Sequence, residues 1–313
     1  MAILKTKVID ASSAKGQFLQ IAAVSIVISL DPSFNLRTQD PLYHDFFAPV
    51  EAGKSTSSIQ ARLVRGRMPD LSRLRRLFDT RESWSMSKDP RGYWIQFQSA
   101  ARPDPFWIAR FDRQASRVFV YCGSPLLKAQ GEKTDLINPI CYPLDQLLLM
   151  YHLAYREGAL AHAAGIELEG RGLIFPGCSG AGKSTLTRLF ADCQMGNLLS
   201  DERVVLRLTG TGWQVFGTPW AGTAGVGSNG CAPLTGMFFL KHDNQNLLRR
   251  ITAENAMERL LPILSIPWYD DEVVPLIIAS AKNLAARVPG YEMSFKPDRS
   301  AVDFLVQFQK TLS

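Results

Sequence analysis

Cysteines at metal-binding spacing are missing from this chain. Its five cysteines (Cys122, Cys141, Cys178, Cys193 and Cys231) are scattered, with no CxxC pair and an odd total. That excludes a zinc ribbon and a disulfide framework, and it reads as free thiols in a reducing compartment. Low-complexity tracts and repeats at solenoid spacing are also absent, so neither a linker protein nor a repeat array fits. No apolar run reaches the roughly 20 residues that a membrane helix needs. The strongest run, 18–30 (FLQIAAVSIVISL), follows Lys5, Lys7 and Lys15 as a secretory signal would, but Asp31-Pro32 stands where an A-x-A site belongs. Ile21, Val24, Ile26, Val27 and Ile28 instead predict a buried strand over 21–30.

What is present suits a globular protein with a proper core. The chain has 313 residues, 46% hydrophobic and 20% charged, enough for two compact domains. The formal charge of +6 is uneven, with seven arginines (62, 65, 67, 73, 75, 76 and 81) between positions 62 and 81. Such a patch attracts nucleic acid, membrane surface or an acidic substrate. Leu71, Leu74, Leu77 and Phe78 fall at helical spacing, which predicts instead a solvated amphipathic helix. Aromatic residues do not interleave with these arginines in the nucleic-acid manner. Neither a nucleic acid nor a membrane is expected as a partner.

The two halves of the chain differ in pattern. Runs at 93–98 (YWIQFQ), 106–111 (FWIARF) and 117–122 (RVFVYC), separated by Pro, Gly, Asp and Arg, predict antiparallel strands. Residues 1–142 therefore read as a smaller accessory α+β domain. From 143 onward a buried helix carrying Leu144, Leu147, Leu148 and Tyr151 is followed by strands at 165–168 and 172–176. A glycine loop and a helix over 182–193 come next, then strands near 197–199, 203–208, 213–216 and 237–240. Helices are predicted at 253–261, 271–287 and 300–312. Strand, glycine loop, helix and strand in this order predict an α/β catalytic domain over 143–313.

Gly177-Cys178-Ser179-Gly180-Ala181-Gly182-Lys183-Ser184-Thr185 fills every fixed position of GxxxxGK[ST]. Glycines let main-chain N–H groups surround phosphate oxygens, and the following helix adds its positive end. Lys183 then belongs on the β- and γ-phosphates of ATP, and Ser184 on Mg²⁺. The bland alternative, a glycine turn between strand and helix, needs neither the lysine nor the hydroxyl pair. A second GKST at Gly53-Lys54-Ser55-Thr56 has Ala48 at the first glycine position and no strand before it; it reads as a loop. A nucleotide substrate places the chain in the cytoplasm.

Asp201-Glu202 follow Leu198-Leu199-Ser200, eighteen positions after Lys183. A right-handed crossover helix would return the next strand parallel to the first, opening its C-terminal end beside the phosphate loop. Acids there bind metal or take a proton from an attacking hydroxyl. LLSDE is similar to a transporter-type Walker B, but the LSGGQ signature and the guanine motif NKxD are both absent. His162 reads equally as a core histidine or a site residue. Pro219 and Trp220, in a loop with five glycines over 217–230, read equally as a substrate wall or a packed turn. That loop is a candidate lid.

The run Ala161-His162-Ala163-Ala164-Gly165, then GCSGAGKST, then LLSDE, resembles the core of HPr kinase/phosphorylase. It is closer to the HPr-kinase-related proteins that phosphorylate serine hydroxyls on other substrates, including tailoring kinases of modified peptides such as lasso peptides. Gly217-Thr218-Pro219-Trp220, Ala232-Pro233-Leu234 and the FFL strand are similar to that related group. The resemblance covers roughly 143–265, and its outline is shared with ATP-dependent phosphoenolpyruvate carboxykinase. It implies a P-loop kinase core with His162 near the γ-phosphate, Asp201 as general base and Glu202 in place of the family's second, metal-associated Asp. It also implies a peptide, protein or small-molecule serine acceptor, and a homo-oligomer, since family members often assemble. The Arg-Gly and Gly-Ile-Ile signature of true HPr kinases is not visible. Two other readings remain: a carboxykinase-like lyase, which would require further metal ligands and a carboxylate-binding arginine, and an ATP-gated regulatory module without catalysis.

Overall fold

The computed structural model describes residues 17–47, 57–99, 101–102, 104–130 and 133–311. The second GKST, at 53–56, lies outside them. The protein is a mixed α and β molecule with large sheets and few helices. It divides into two compact units, Met1–His152 and Leu153–Ser313. The expected division stood at 142/143; the observed one gives most of the first helix to the first unit.

In the first unit the strands are β1 (Gln17–Ile21), β2 (Val24–Ser29), β3 (Phe34–Arg37), β4 (Ser57–Val64), β5 (Arg75–Asp79) and β6 (Trp84–Asp89). They continue with β7 (Gly92–Phe97), β8 (Trp107–Asp112), β9 (Arg117–Cys122), β10 (Leu127–Gln130) and β11 (Lys133–Ile137). An eight-stranded sheet runs β1-β2-β4-β9-β8-β7-β6-β5, and β10-β11-β3 make a smaller one. Period-two alternation sorts the faces. Ile59, Ala61 and Leu63 of β4 and Val118 and Val120 of β9 are buried, while Gln60, Arg62, Arg117 and Phe119 are exposed. Helix α1 (Leu144–Ala154) packs Tyr151 on the buried face, its ring 4.7 Å from Tyr93 and 5.3 Å from Phe111.

Two expectations for this unit fail. The segment 62–81 holds no helix: it is the end of β4, a connection and β5. The helical spacing of Leu71, Leu74, Leu77 and Phe78 covers only eight residues, with the helix breakers Gly66 and Pro69 just before it, and 57–64 already alternates with period two. The single strand expected at 21–30 is a hairpin, because Ala22 and Ala23 both take positive φ (55° and 57°). An Ala-Ala turn carries none of the Asn or Gly signal that marks such bends.

In the second unit the elements are β12 (Gly158–Leu168), β13 (Arg171–Pro176), α2 (Lys183–Asp192), β14 (Asn197–Ser200), β15 (Arg203–Thr209) and β16 (Gly212–Phe216). They continue with β17 (Cys231–His242), β18 (Leu247–Ile251), α3 (Ala253–Leu260), α4 (Val274–Arg287), β19 (Gly290–Phe295) and α5 (Arg299–Thr311). The C-terminal part of β12 pairs with β13 on one side and with β14 on the other, both antiparallel. Thus β14 runs in the same sense as β13, as the crossover predicts, but with β12 between them. β17 pairs in parallel with both β13 and β19. Phe175, Leu186, Phe190, Phe238, Met293, Phe295, Val302 and Leu305 form one buried core. Strands β18 and β19 were not anticipated: LLRRI and GYEMSF show too little alternation to stand out. Among the described residues no helix is long and apolar enough to cross a membrane.

Tyr151→Ala should cost about 3–5 kcal/mol, the usual range for removing a buried ring. Urea denaturation followed by tryptophan fluorescence reads this directly. An unchanged midpoint would mean that α1 is not held by this face.

Candidate functional site

The glycine loop leaves β13 and enters α2 through Gly182, whose φ of 99° lies in the left-handed region. A Cβ built there would stand 2.7 Å from the Phe295 ring, so both conformation and contact demand glycine. Leu186 and Phe190, four apart on α2, are buried in the core and fix the helix start against the sheet. Lys183, the first helical residue, is buried, and its Nζ donates to the carbonyls of Gly177 at 2.7 Å and Cys178 at 3.2 Å. The ammonium therefore lies within the curl of the loop.

The loop forms one wall of a cavity of about 230 Å³, to which it contributes Ser179, Gly180, Gly182, Lys183, Ser184 and Thr185. His162, Glu202, Thr223 and His242 line the remainder. The pairing explains this convergence. β13 and β17 are parallel neighbours, so the loop after β13 and His242 at the end of β17 share one edge, the usual ligand edge of such sheets. His162 lies on β12 opposite Arg203, which brings it beside Glu202. The His162 Nε2 and Glu202 Oε1 atoms are 3.2 Å apart. Burial, reinforced by the Lys183 charge, holds the His162 pKa below its ordinary value despite the Glu202 carboxylate. Burial likewise lowers the pKa of Lys183.

Asp201 takes a different place from its neighbour. Its side chain is fully buried, and its carboxylate accepts hydrogen bonds from the amides of Gly222 (2.8 Å), Ala224 (2.7 Å) and Val226 (3.3 Å). It thus anchors the glycine-rich loop rather than lining the cavity. Gly222 eases this approach: a Cβ there would crowd Glu202 Oε2 at 2.9 Å and Asp201 Oδ2 at 3.0 Å. From the same loop Thr223 Oγ1 donates to Ser184 Oγ at 3.3 Å, tying it to the start of α2. Trp220 is buried and Thr218 Oγ1 donates to the Arg203 carbonyl at 2.6 Å. Of the two readings for 217–220, the packed turn is the one observed.

Of the residues singled out in the sequence, His162, Ser179, Gly180, Gly182, Lys183, Ser184, Thr185 and Glu202 meet at one cavity. Gly177 and Ala181 belong to the loop without lining the cavity, and Asp201 lies beneath the loop 217–230. Thr223 and His242 were missed. Nothing local marks either: Thr223 arrives through the Asp201 anchor, and His242 through the parallel register of β17. The His242 ring packs 4.8 Å from Phe295, which holds it at the cavity edge. Ser184, Thr223 and Glu202 offer hard oxygen donors. They are too few for a cage made of protein alone, which is the donor set Mg²⁺ takes when phosphate oxygens complete its shell. The residues present therefore fit Mg²⁺ held by Ser184.

Asp201→Asn should weaken the three loop contacts, at a cost of about 1–3 kcal/mol for buried hydrogen bonds to a charged group. Amide hydrogen exchange at Gly222, Ala224 and Val226 should accelerate accordingly. Unchanged protection at these three positions would show that the loop is held by something else.

No protein-family model matches this chain, and no curated protein matches it.

Proposed function

We propose that this chain is an ATP- and Mg²⁺-dependent kinase that transfers the γ-phosphoryl group to a serine hydroxyl of a peptide, protein or small molecule. The observation that carries the reading is the meeting of four groups at one cavity: the Lys183 ammonium, the amide end of α2, the Ser184 hydroxyl and the Glu202–His162 pair. Strand β13, its glycine loop and α2 support a P-loop kinase domain of the HPr-kinase-related kind, acting in the cytoplasm where ATP is available.

In this reading the loop amides and Lys183 stabilise charge on the transferred group as the bond to the β-phosphate oxygen breaks and one to the acceptor oxygen forms. Mg²⁺, when bound, neutralises charge on the phosphates. Proton removal falls to the carboxylate that faces the cavity. Glu202 does so, with His162 orienting it; Asp201, assigned as base from the family resemblance, has its oxygens engaged by loop amides. Asp201 then serves as a positioning residue that keeps Thr223 over Ser184. The loop 217–230 closes over the phosphates and excludes water.

Three outcomes test these roles. Lys183→Ala should lower labelled-phosphate transfer from ATP to serine-containing acceptors by at least about 10²-fold, the usual loss for one charge-stabilising group. Glu202→Gln should lower kcat by about 10²–10⁴-fold, the range for a lost general base, with ATP affinity retained. Added Mg²⁺ should not restore that rate; full recovery at high Mg²⁺ would make Glu202 a metal ligand instead, and transfer at the wild-type rate would return the base to Asp201.

A further inference from the structure

The arginine-rich segment finds no use in the cavity, but the strand register gives its residues a setting the sequence hides. On the first unit's large sheet, Arg62 of β4 stands opposite Phe119 of β9, Phe119 opposite Arg110 of β8, and Arg110 opposite Trp94 of β7. Trp94 stands opposite Ser87 of β6, and Ser87 opposite Arg76 of β5. Opposed residues share a face, so Arg62, Phe119, Arg110 and Trp94 make one row of cations and rings over four strands, about 14 Å at ~4.8 Å per strand; Ser87, which is buried, separates it from Arg76, which pairs with Asp79. We propose that this outer face is a docking surface for an acidic polypeptide segment rich in Asp or Glu.

Exposure and order both favour docking. Phe119 is 38% exposed, one of few large apolar side chains open to solvent. Arg62 and Arg117 flank it, both exposed and both without an ion pair among the described residues. Beside Trp94 lies a shallow depression of about 320 Å³ with Arg91, Arg110 and Tyr121 on its walls. Its groups are held in advance: Trp94 Nε1 donates to Asp89 at 2.9 Å, and the Arg110 guanidinium sits 5.3 Å over the indole. Preordered groups lose little entropy on binding.

The chemistry favours carboxylates over nucleic acid. Stacking of successive bases requires open ring faces. Here Arg110 lies over Trp94, and Tyr121 is nearly parallel to it at 6.4 Å; Phe119 alone presents an open ring in this row. Carboxylates pair with guanidinium groups in the plane, and an extended segment of about four residues at ~3.3 Å each spans the row. The inference does not rest on the kinase reading.

The test is equilibrium binding of a fluorescent peptide of alternating Glu and Phe to the full chain at low salt, without ATP. A matched Lys/Phe peptide and oligothymidylate serve as controls. The acidic peptide should bind, weaken as salt rises, and lose at least about tenfold in affinity to the Arg62→Glu/Arg117→Glu double variant. Phe119→Ser, also at an exposed position, should weaken it too. The proposal fails if the acidic peptide binds no better than the Lys/Phe control or if neither variant affects it. It fails equally if oligothymidylate binds more tightly and is lost in the same variants, or if those variants instead abolish self-association of the chain.

Discussion

β13 is held between β12, antiparallel on one side, and β17, parallel on the other. The positions of the glycine loop, His162, Glu202 and His242 follow from that arrangement. A parallel neighbour places two strand ends at one edge, so the glycine loop after β13 and His242 after β17 come together without any direct sequence signal. An antiparallel neighbour that also pairs with β14 and β15 carries His162 to Glu202. The buried rings of Phe175, Phe238 and Phe295 resist any slip, because a one-residue shift would turn each out of this shared core to the other face of its strand.

Within that frame the two adjacent acids divide their work. Consecutive residues leaving a strand point in different directions, so Asp201 is buried under the loop while Glu202 reaches the cavity. The buried carboxylate is satisfied by three main-chain amides, as a charge removed from water requires. The cost of burying it is thereby converted into loop order, and Thr223 is brought over Ser184. The half-buried acid keeps an imidazole partner whose pKa burial and Lys183 push down. A neutral imidazole can orient the carboxylate without neutralising it, which suits the proton-accepting role proposed for Glu202.

The first unit shows the same logic on a larger scale. Its strands alternate cleanly, and the buried half of that alternation builds the core on which Tyr151 rests. The outward half brings together Arg62, Trp94, Arg110 and Phe119, which lie as many as 57 positions apart in the chain (119 minus 62). Interleaving of cations and rings is absent along 62–81 and present across the sheet. A search for charged and aromatic residues close in sequence is blind to it.

Much of the local structure was legible from residue types alone. Glycines at 177, 180 and 182 before Lys183 mark a loop and a helix start, since few other sequences permit φ near 99° at the helix cap. The apolar spacing of Leu186 and Phe190 marks the buried side of that helix. The strands at 93–97, 107–112 and 117–122 were visible because Tyr, Trp, Phe and Val alternate or cluster between turn residues. Leu71, Leu74, Leu77 and Phe78 misled because helical spacing over one short stretch also arises by chance in strand and connection. What the chain alone determined was the set of chemical groups and their local conformation, which depend on neighbours a few bonds away. Which acid faces the cavity, which histidine joins it and which arginines share a surface were decided only by strand order and register, because those contacts are made by pairing between residues far apart in the chain.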